Sequence, residues 1–247
     1  FFLTLLHKWS NYIRISNFFF DMNKFTALLI FSLFSTLAWA QPAGLELNFH
    51  QVRSGDRFVS DGNTTGTPYY HDQYHTGSIY LNDKLAASGI NLKYNAYRDI
   101  FFAVTDVNTP DEEAQVVTKA QGMKILVNNE EFITLPSVTN RYEMQYYQVV
   151  VRGEKVTLLK KNYKLFVEGS RATTSLTRDV PSTYSDRSEF YFLSPSGDFT
   201  QVPSSTKKVL DLFPKDRKAL SAAVKKYRLN LKKDIDLMRF IGYYNRL

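Results

Sequence analysis

From residue 78 to 202 the chain sets short β-branched and aromatic runs between Gly, Asn, Asp and Pro, the pattern of strands joined by turns. The clearest strand runs are 78–81, 91–97, 100–104, 124–127, 132–135, 142–152, 155–160, 163–167 and 189–193. Val149-Val150-Val151-Arg152, Gly153-Glu154 and Lys155-Val156-Thr157-Leu158-Leu159 together predict a hairpin with a two-residue turn. Its leading glycine suits type II′.

Beyond Pro203 the hydrophobic period lengthens. Val209, Leu210 and Phe213 share one helical face, and Pro214 is placed to open a second helix, at a first-turn position that tolerates proline. Leu220, Ala223, Val224 and Tyr227 recur at i, i+3, i+4, i+7. A third helix starts near Asp234, where Asp234 and Asp236 suit a positive N-terminal end, and Leu237, Met238, Ile241 and Tyr244 form its stripe. Strands first and helices afterwards predict an α+β fold, a twisted and mostly antiparallel β-sheet followed by C-terminal α-helices. The helices either pack into the sheet's core or stand apart as a small basic module.

The N-terminal pattern is of another kind. Met22-Asn23-Lys24 is a short positive region, 25–37 is nearly unbroken apolar sequence, and Ala38-Trp39-Ala40 is a small-x-small cleavage site before Gln41. The apolar run is shorter than the roughly 20 residues a spanning helix needs. Residues 22–40 thus predict a cleaved secretory signal, and 1–21 read as translation upstream of the true start. The expected organisation is a polar segment at 41–77, a sheet region at 78–203 and a basic helical region at 204–247.

Charge sharpens that division. The whole chain carries +7, and the mature part +5. Twelve Lys and Arg against four Asp give 205–247 a charge of +8, so 41–204 carry −3. Lys207, Lys208, Lys225, Lys226, Lys232 and Lys233 are the candidates for contact with an anionic envelope surface, with nucleic acid not expected as a partner in that compartment. The bland alternative is solvated faces of amphipathic helices. There is no cysteine, which removes disulfides, thiol nucleophiles and a lipid anchored on cysteine.

Catalytic signals are sparse. The sequence has no G-x-S-x-G elbow, no H-E-x-x-H and no P-loop, and no cofactor is implied. The carboxylate pairs Glu112-Glu113 and Glu130-Glu131 fall in turn-rich surroundings that would not raise a general acid's pKa. His71 and His75, four apart beside Asp72, are weak metal candidates flanked by loop-forming residues. Asp61-Gly62-Asn63-Thr64 reads as a tight turn rather than a calcium loop.

Two tyrosine groups, Tyr69, Tyr70 and Tyr74, and Tyr142, Tyr146 and Tyr147, either offer rings to a sugar or protein or serve as ordinary strand formers. The expected function is non-enzymatic contact with envelope proteins or an anionic surface. The alternative is a binder or carrier of a small apolar or glycan ligand in a curved sheet. A hydrolase comes third and needs His50, His71 or His75 within hydrogen-bond reach of a hydroxyl or carboxylate in a cleft.

Three stretches carry a resemblance. The first runs through Gly66-Thr67-Pro68-Tyr69, Gly77-Ser78-Ile79-Tyr80 and Leu92-Lys93-Tyr94-Asn95-Ala96-Tyr97-Arg98-Asp99. The second is Tyr147-Gln148-Val149-Val150-Val151-Arg152-Gly153-Glu154-Lys155 with Leu158-Leu159-Lys160-Lys161. The third is Leu210-Asp211-Leu212-Phe213-Pro214 with Lys232-Lys233-Asp234 and Tyr243-Tyr244-Asn245. In this order they resemble an uncharacterised family of exported proteins from Bacteroidetes-type bacteria. The sequence departs from the family pattern at Tyr70-His71-Asp72 and at Arg152, where an acid is usual. The resemblance implies a periplasmic or cell-envelope protein of a Gram-negative bacterium and brings no activity, ligand or site residue.

Overall fold

The computed structural model describes residues 46–53, 55, 63–172, 174 and 178–247. The expected signal sequence, the segment before it and most of the Ser54-Gly55-Asp56 and Asp61-Gly62 turns lie outside these residues. Glu46–Leu247 forms one compact unit.

Its strands are β1 (Phe49–Gln51), β2 (Thr64–Thr65), β3 (His75–Leu81), β4 (Lys84–Asn95), β5 (Ile100–Val104) and β6 (Gln115–Val117). They continue with β7 (Met123–Val127), β8 (Glu130–Pro136), β9 (Met144–Val151), β10 (Thr157–Val167), β11 (Ser182–Leu193) and β12 (Phe199–Gln201). Three helices follow, α1 (Thr206–Asp211), α2 (Arg217–Lys226) and α3 (Asp234–Tyr244). The α+β reading holds: one open sheet of order β1-β6-β5-β4-β3-β7-β8-β9-β10-β11-β12, antiparallel along that path, with β2 added in parallel to β11.

Local chemistry sets the turns. Asn82-Asp83 and Asn128-Asn129 each place two successive residues at positive φ, as a type I′ turn requires, and so join β3 to β4 and β7 to β8. Between β4 and β5, Asn95 Oδ1 accepts from the backbone N–H of Tyr97 at 3.1 Å and Arg98 at 3.0 Å. Asp99 then takes φ 58°, which its short polar side chain tolerates.

The sheet is strongly coiled. Only 118–122 link β6 to β7, which are separated in the sheet by β5, β4 and β3. Crossing a flat sheet there means about 19 Å, nearly the full reach of that segment. Yet the segment turns, with Met123 N–H donating to the Ala120 carbonyl at 3.3 Å. Curling resolves the conflict and brings the β4–β5 turn onto β10, where Lys164 N–H reaches the Ala96 carbonyl at 3.4 Å.

Inside the curl, Tyr94 stacks on Phe101 at 4.8 Å, and Phe101 meets Phe132 and Tyr146 edge-on at 5.2 and 4.9 Å. Together with Ile79, Leu92, Met123 and Ile125 these rings fill the interior. The second core lies between the helices and the sheet: Leu220, Leu237, Phe240 and Ile241 pack with Val156, Leu158 and Phe192. The helices therefore complete the sheet's own packing and do not stand apart.

Three local expectations need correction. The 149–159 hairpin forms, but its turn is wider than two residues: β9 ends at Val151 and β10 begins at Thr157, because Asn245 is hydrogen-bonded into the loop. Pro214 lies in the turn before α2, which starts at Arg217. The segment 41–77 is not merely polar, since β1, β2 and the buried Tyr69 belong to the sheet and its core.

Candidate functional site

The six candidate lysines are all solvent-exposed. Lys207 and Lys208 lie on α1, Lys225 and Lys226 close α2, and Lys232 and Lys233 lead into α3, so four of them lie at the two ends of the single connection between α2 and α3. Lys225 and Lys226 also sit in the last helical turn, where the helix dipole favours cations. None of the six pairs with a carboxylate among the described residues. Three of the four aspartates in the region are engaged elsewhere: Asp211 with Arg217 at 3.0 Å, Asp236 with Arg239 at 3.5 Å, and Asp234 with Lys160 of the sheet at 2.9 Å. Tyr227 and Ile235 are each 53% exposed among these lysines, and the Lys226 ammonium lies 5.3 Å from the Tyr227 ring centre. The surface combines unneutralised positive charge with apolar tips.

The tyrosine groups divide differently from their sequence clusters. Tyr69, Tyr146 and Tyr147 are buried, so their rings face the core and not a partner. Tyr70 and Tyr74 are half-buried and hydrogen-bonded, and only Tyr142 is fully exposed. The alternating pattern places Tyr146 and Tyr147 on opposite faces of β9, and both faces are covered, by the interior on one side and by Leu159 and Tyr191 on the other.

Two buried ionic clusters take up several of these groups. In the first, Asp111 accepts from Lys93 Nζ at 2.5 Å, from Tyr74 OH at 2.9 Å and from Tyr69 OH. The Lys93 ammonium sits 4.2 and 4.4 Å from the Tyr69 and Tyr74 ring centres. Burial alone would raise the Asp111 pKa, but these donors hold it below the ordinary carboxylate value. In the second, Asp99 accepts from Tyr94 OH at 2.6 Å, Lys119 Nζ at 2.5 Å and Lys161 Nζ. Burial pushes the Lys161 pKa down, while Asp99 opposes the shift. One carboxylate thus serves two lysines inside the fold.

His71 and His75 do come together, with ring centres 5.6 Å apart. His71 Nε2 is engaged by Glu130 Oε2 at 2.9 Å, and no group of three or more potential ligands that could hold a metal ion occurs among the described residues. His50 Nδ1 lies 3.1 Å from Thr118 Oγ1 on the exposed β1–β6 edge. Neither histidine assembles a nucleophile, a base and an orienting acid among the described residues. Sequence reasoning named Glu130 as one of a carboxylate pair but missed the cluster it anchors. Besides His71 it accepts from Gln148 Nε2 at 2.8 Å and Tyr70 OH at 3.1 Å, and burial followed by the Glu130 charge pushes the Tyr70 pKa up to about 12. The available signal was the Asn128-Asn129 pair, which marks a tight turn and puts Glu130 at the head of a strand.

Compared with known proteins, the chain matches no family model, no curated protein and no solved structure.

Proposed function

We propose that this is a non-enzymatic, exported cell-envelope protein whose C-terminal helical region attaches it to an anionic surface. The observation that carries the reading is the set of six exposed lysines without carboxylate partners among the described residues, on a region whose acids are largely engaged by Arg217, Arg239 and Lys160. Tyr227 and Ile235 supply the apolar tips that settle into a headgroup layer once charge has drawn the helices to it. No described helix is long and apolar enough to cross a membrane. Without a cysteine to carry lipid, attachment is electrostatic and reversible. Carriage of an apolar ligand draws no support, because aromatic side chains fill the interior of the curl.

The test is sedimentation of the mature protein with phosphatidylglycerol-containing and purely phosphatidylcholine vesicles across a salt series. Binding is expected only to the anionic vesicles and is expected to weaken with salt. Reversing Lys225, Lys226, Lys232 and Lys233 to Glu should cost at least about 1 kcal/mol per residue, a thousandfold or so in total. Equal binding to both vesicle types, or binding indifferent to salt, overturns the proposal.

A further inference from the structure

A line of polar side chains crosses the interior face of β8, β9 and β10, where the neighbouring positions are apolar. Gln148 and Asn162 are 9% and 6% exposed. Burying such groups is costly unless each hydrogen-bonding atom is used. Their order is dictated from one end. The Glu130 carboxylate accepts only, so Gln148 must turn its Nε2 toward it, at 2.8 Å. Gln148 Oε1 is then left to accept, and Asn162 Nδ2 donates to it at 2.7 Å. Asn162 Oδ1 is therefore the free end of the line, an acceptor with no protein donor among the described residues.

Asn162 lies on the floor of a cleft of about 230 Å³, with Ser188 directly opposite it on β11. At roughly 30 Å³ per water, this is room for about eight waters, or for one six-membered sugar ring. Tyr70 and Ala96 form one wall. The Tyr70 ring is held by His71 at 4.5 Å and by edge contacts to Tyr94 and Phe132 at 6.3 and 6.2 Å, and its hydroxyl is taken by Glu130. What it offers the cleft is ring surface. Among the charged residues of the lining, Lys160 pairs with Asp234 at 2.9 Å and Asp186 with Lys164 at 2.8 Å, while Arg187 donates to the Asp186 backbone carbonyl at 2.9 Å and has no carboxylate partner among the described residues.

We propose that this cleft binds one ring of a carbohydrate. A ligand hydroxyl donates to Asn162 Oδ1, Ser188 supplies an adaptable second hydroxyl contact, and the C–H face of the ring lies against Tyr70. An apolar ligand would leave Asn162 Oδ1 without a donor, a penalty of about 1–3 kcal/mol. The site uses none of the six candidate lysines of the basic helical surface.

Saturation-transfer NMR and calorimetry on the mature protein, with glucose, galactose, mannose and N-acetylglucosamine as probes, test this. At least one sugar is expected to bind saturably with a Kd of about 1 mM. Ser188→Tyr fills the cleft without touching the polar line and should abolish that binding, and Asn162→Leu should weaken it by about tenfold or more. Lys225→Glu, Lys226→Glu and Tyr142→Ala should leave it unchanged. If Asn162→Leu does not fold, Ser188→Tyr decides alone. Absence of saturable binding by all four sugars up to about 20 mM, or binding that survives Ser188→Tyr, overturns the proposal.

Discussion

The side chain of Asn245, just past the end of α3, occupies the space that a Cβ on Gly153 would need. From there its Oδ1 accepts from the backbone N–H of Lys155 at 3.1 Å and of Val156 at 3.0 Å, and its Nδ2 donates to the Val156 carbonyl at 2.9 Å. One amide thus satisfies three backbone groups of the β9–β10 loop and ties the C-terminus to the sheet.

Gly153→Ala should accordingly destabilise the fold by about 1–3 kcal/mol, because the added methyl expels the amide. Asn245→Ala should cost a similar amount by leaving those backbone groups unmatched. Urea unfolding of both single variants and the double variant gives the decisive comparison. The double variant should lose clearly less than the sum, whereas simple additivity would show that the two residues act separately.

Asp99→Asn removes the carboxylate hydrogen-bonded to Lys161 while keeping nearly the same shape. A loss of about 3–5 kcal/mol is expected, since a buried ammonium is left without a counter-charge. Adding Lys161→Met should restore a substantial part of it. Should the second change destabilise further, the cluster's worth lies in packing and not in charge.

Alkaline pH should unfold the protein early. Burial and then the Asp99 charge push the Tyr94 and Tyr146 pKa values well above the usual tyrosine range, and Tyr70 is raised to about 12. Each of these favours the protonated form in the fold. Their contribution is fully present below the unfolded pKa of about 10 and is lost as pH rises through the folded values. The slope approaches 1.4 kcal/mol per pH unit for each tyrosine still protonated in the folded state. Lys161 acts in the opposite direction, because its lowered pKa lets stability rise with pH between its folded and unfolded values. One lysine does not offset several tyrosines. Melting temperature followed from pH 8 to 11, beside tyrosinate absorbance, checks this, and a flat profile above pH 10 would refute it.

The helices were the most legible part of the sequence, because their 3.6-residue period places Val209, Leu210, Leu220, Leu237 and Ile241 in the core without help from distant partners. Strands were legible as runs and less so in extent. The runs 155–160 and 163–167 are one strand, since Lys161 and Asn162, polar by type, are buried by Asp99 and Gln148 from elsewhere in the chain. The same reason hid the cluster that Glu130 anchors. The stretch 92–99 was conspicuous as sequence, and the structure gives it a job: Tyr94, Asn95 and Asp99 build the β4–β5 turn and fasten it to the interior. The turn at Gly153 was misjudged because a residue 92 positions later completes it.

The coiled path of the sheet also has a kinetic consequence. Most ladders join strands that follow one another in the chain, and of the three that do not, β1–β6 and β2–β11 are short pairings of edge segments. The third is β3–β7, a five-residue register at whose middle Ile79 faces Ile125. It is the seam between two local meanders, and closing it requires the intervening loop to be ordered first. Ile79→Val and Ile125→Val, each expected to cost about 1 kcal/mol, should show that cost mainly as slower folding. Leu237→Ala in α3 should instead act mainly by faster unfolding. In stopped-flow measurements, a seam whose variants leave the folding rate untouched would have formed after the barrier, and the two meanders would then dock as finished pieces.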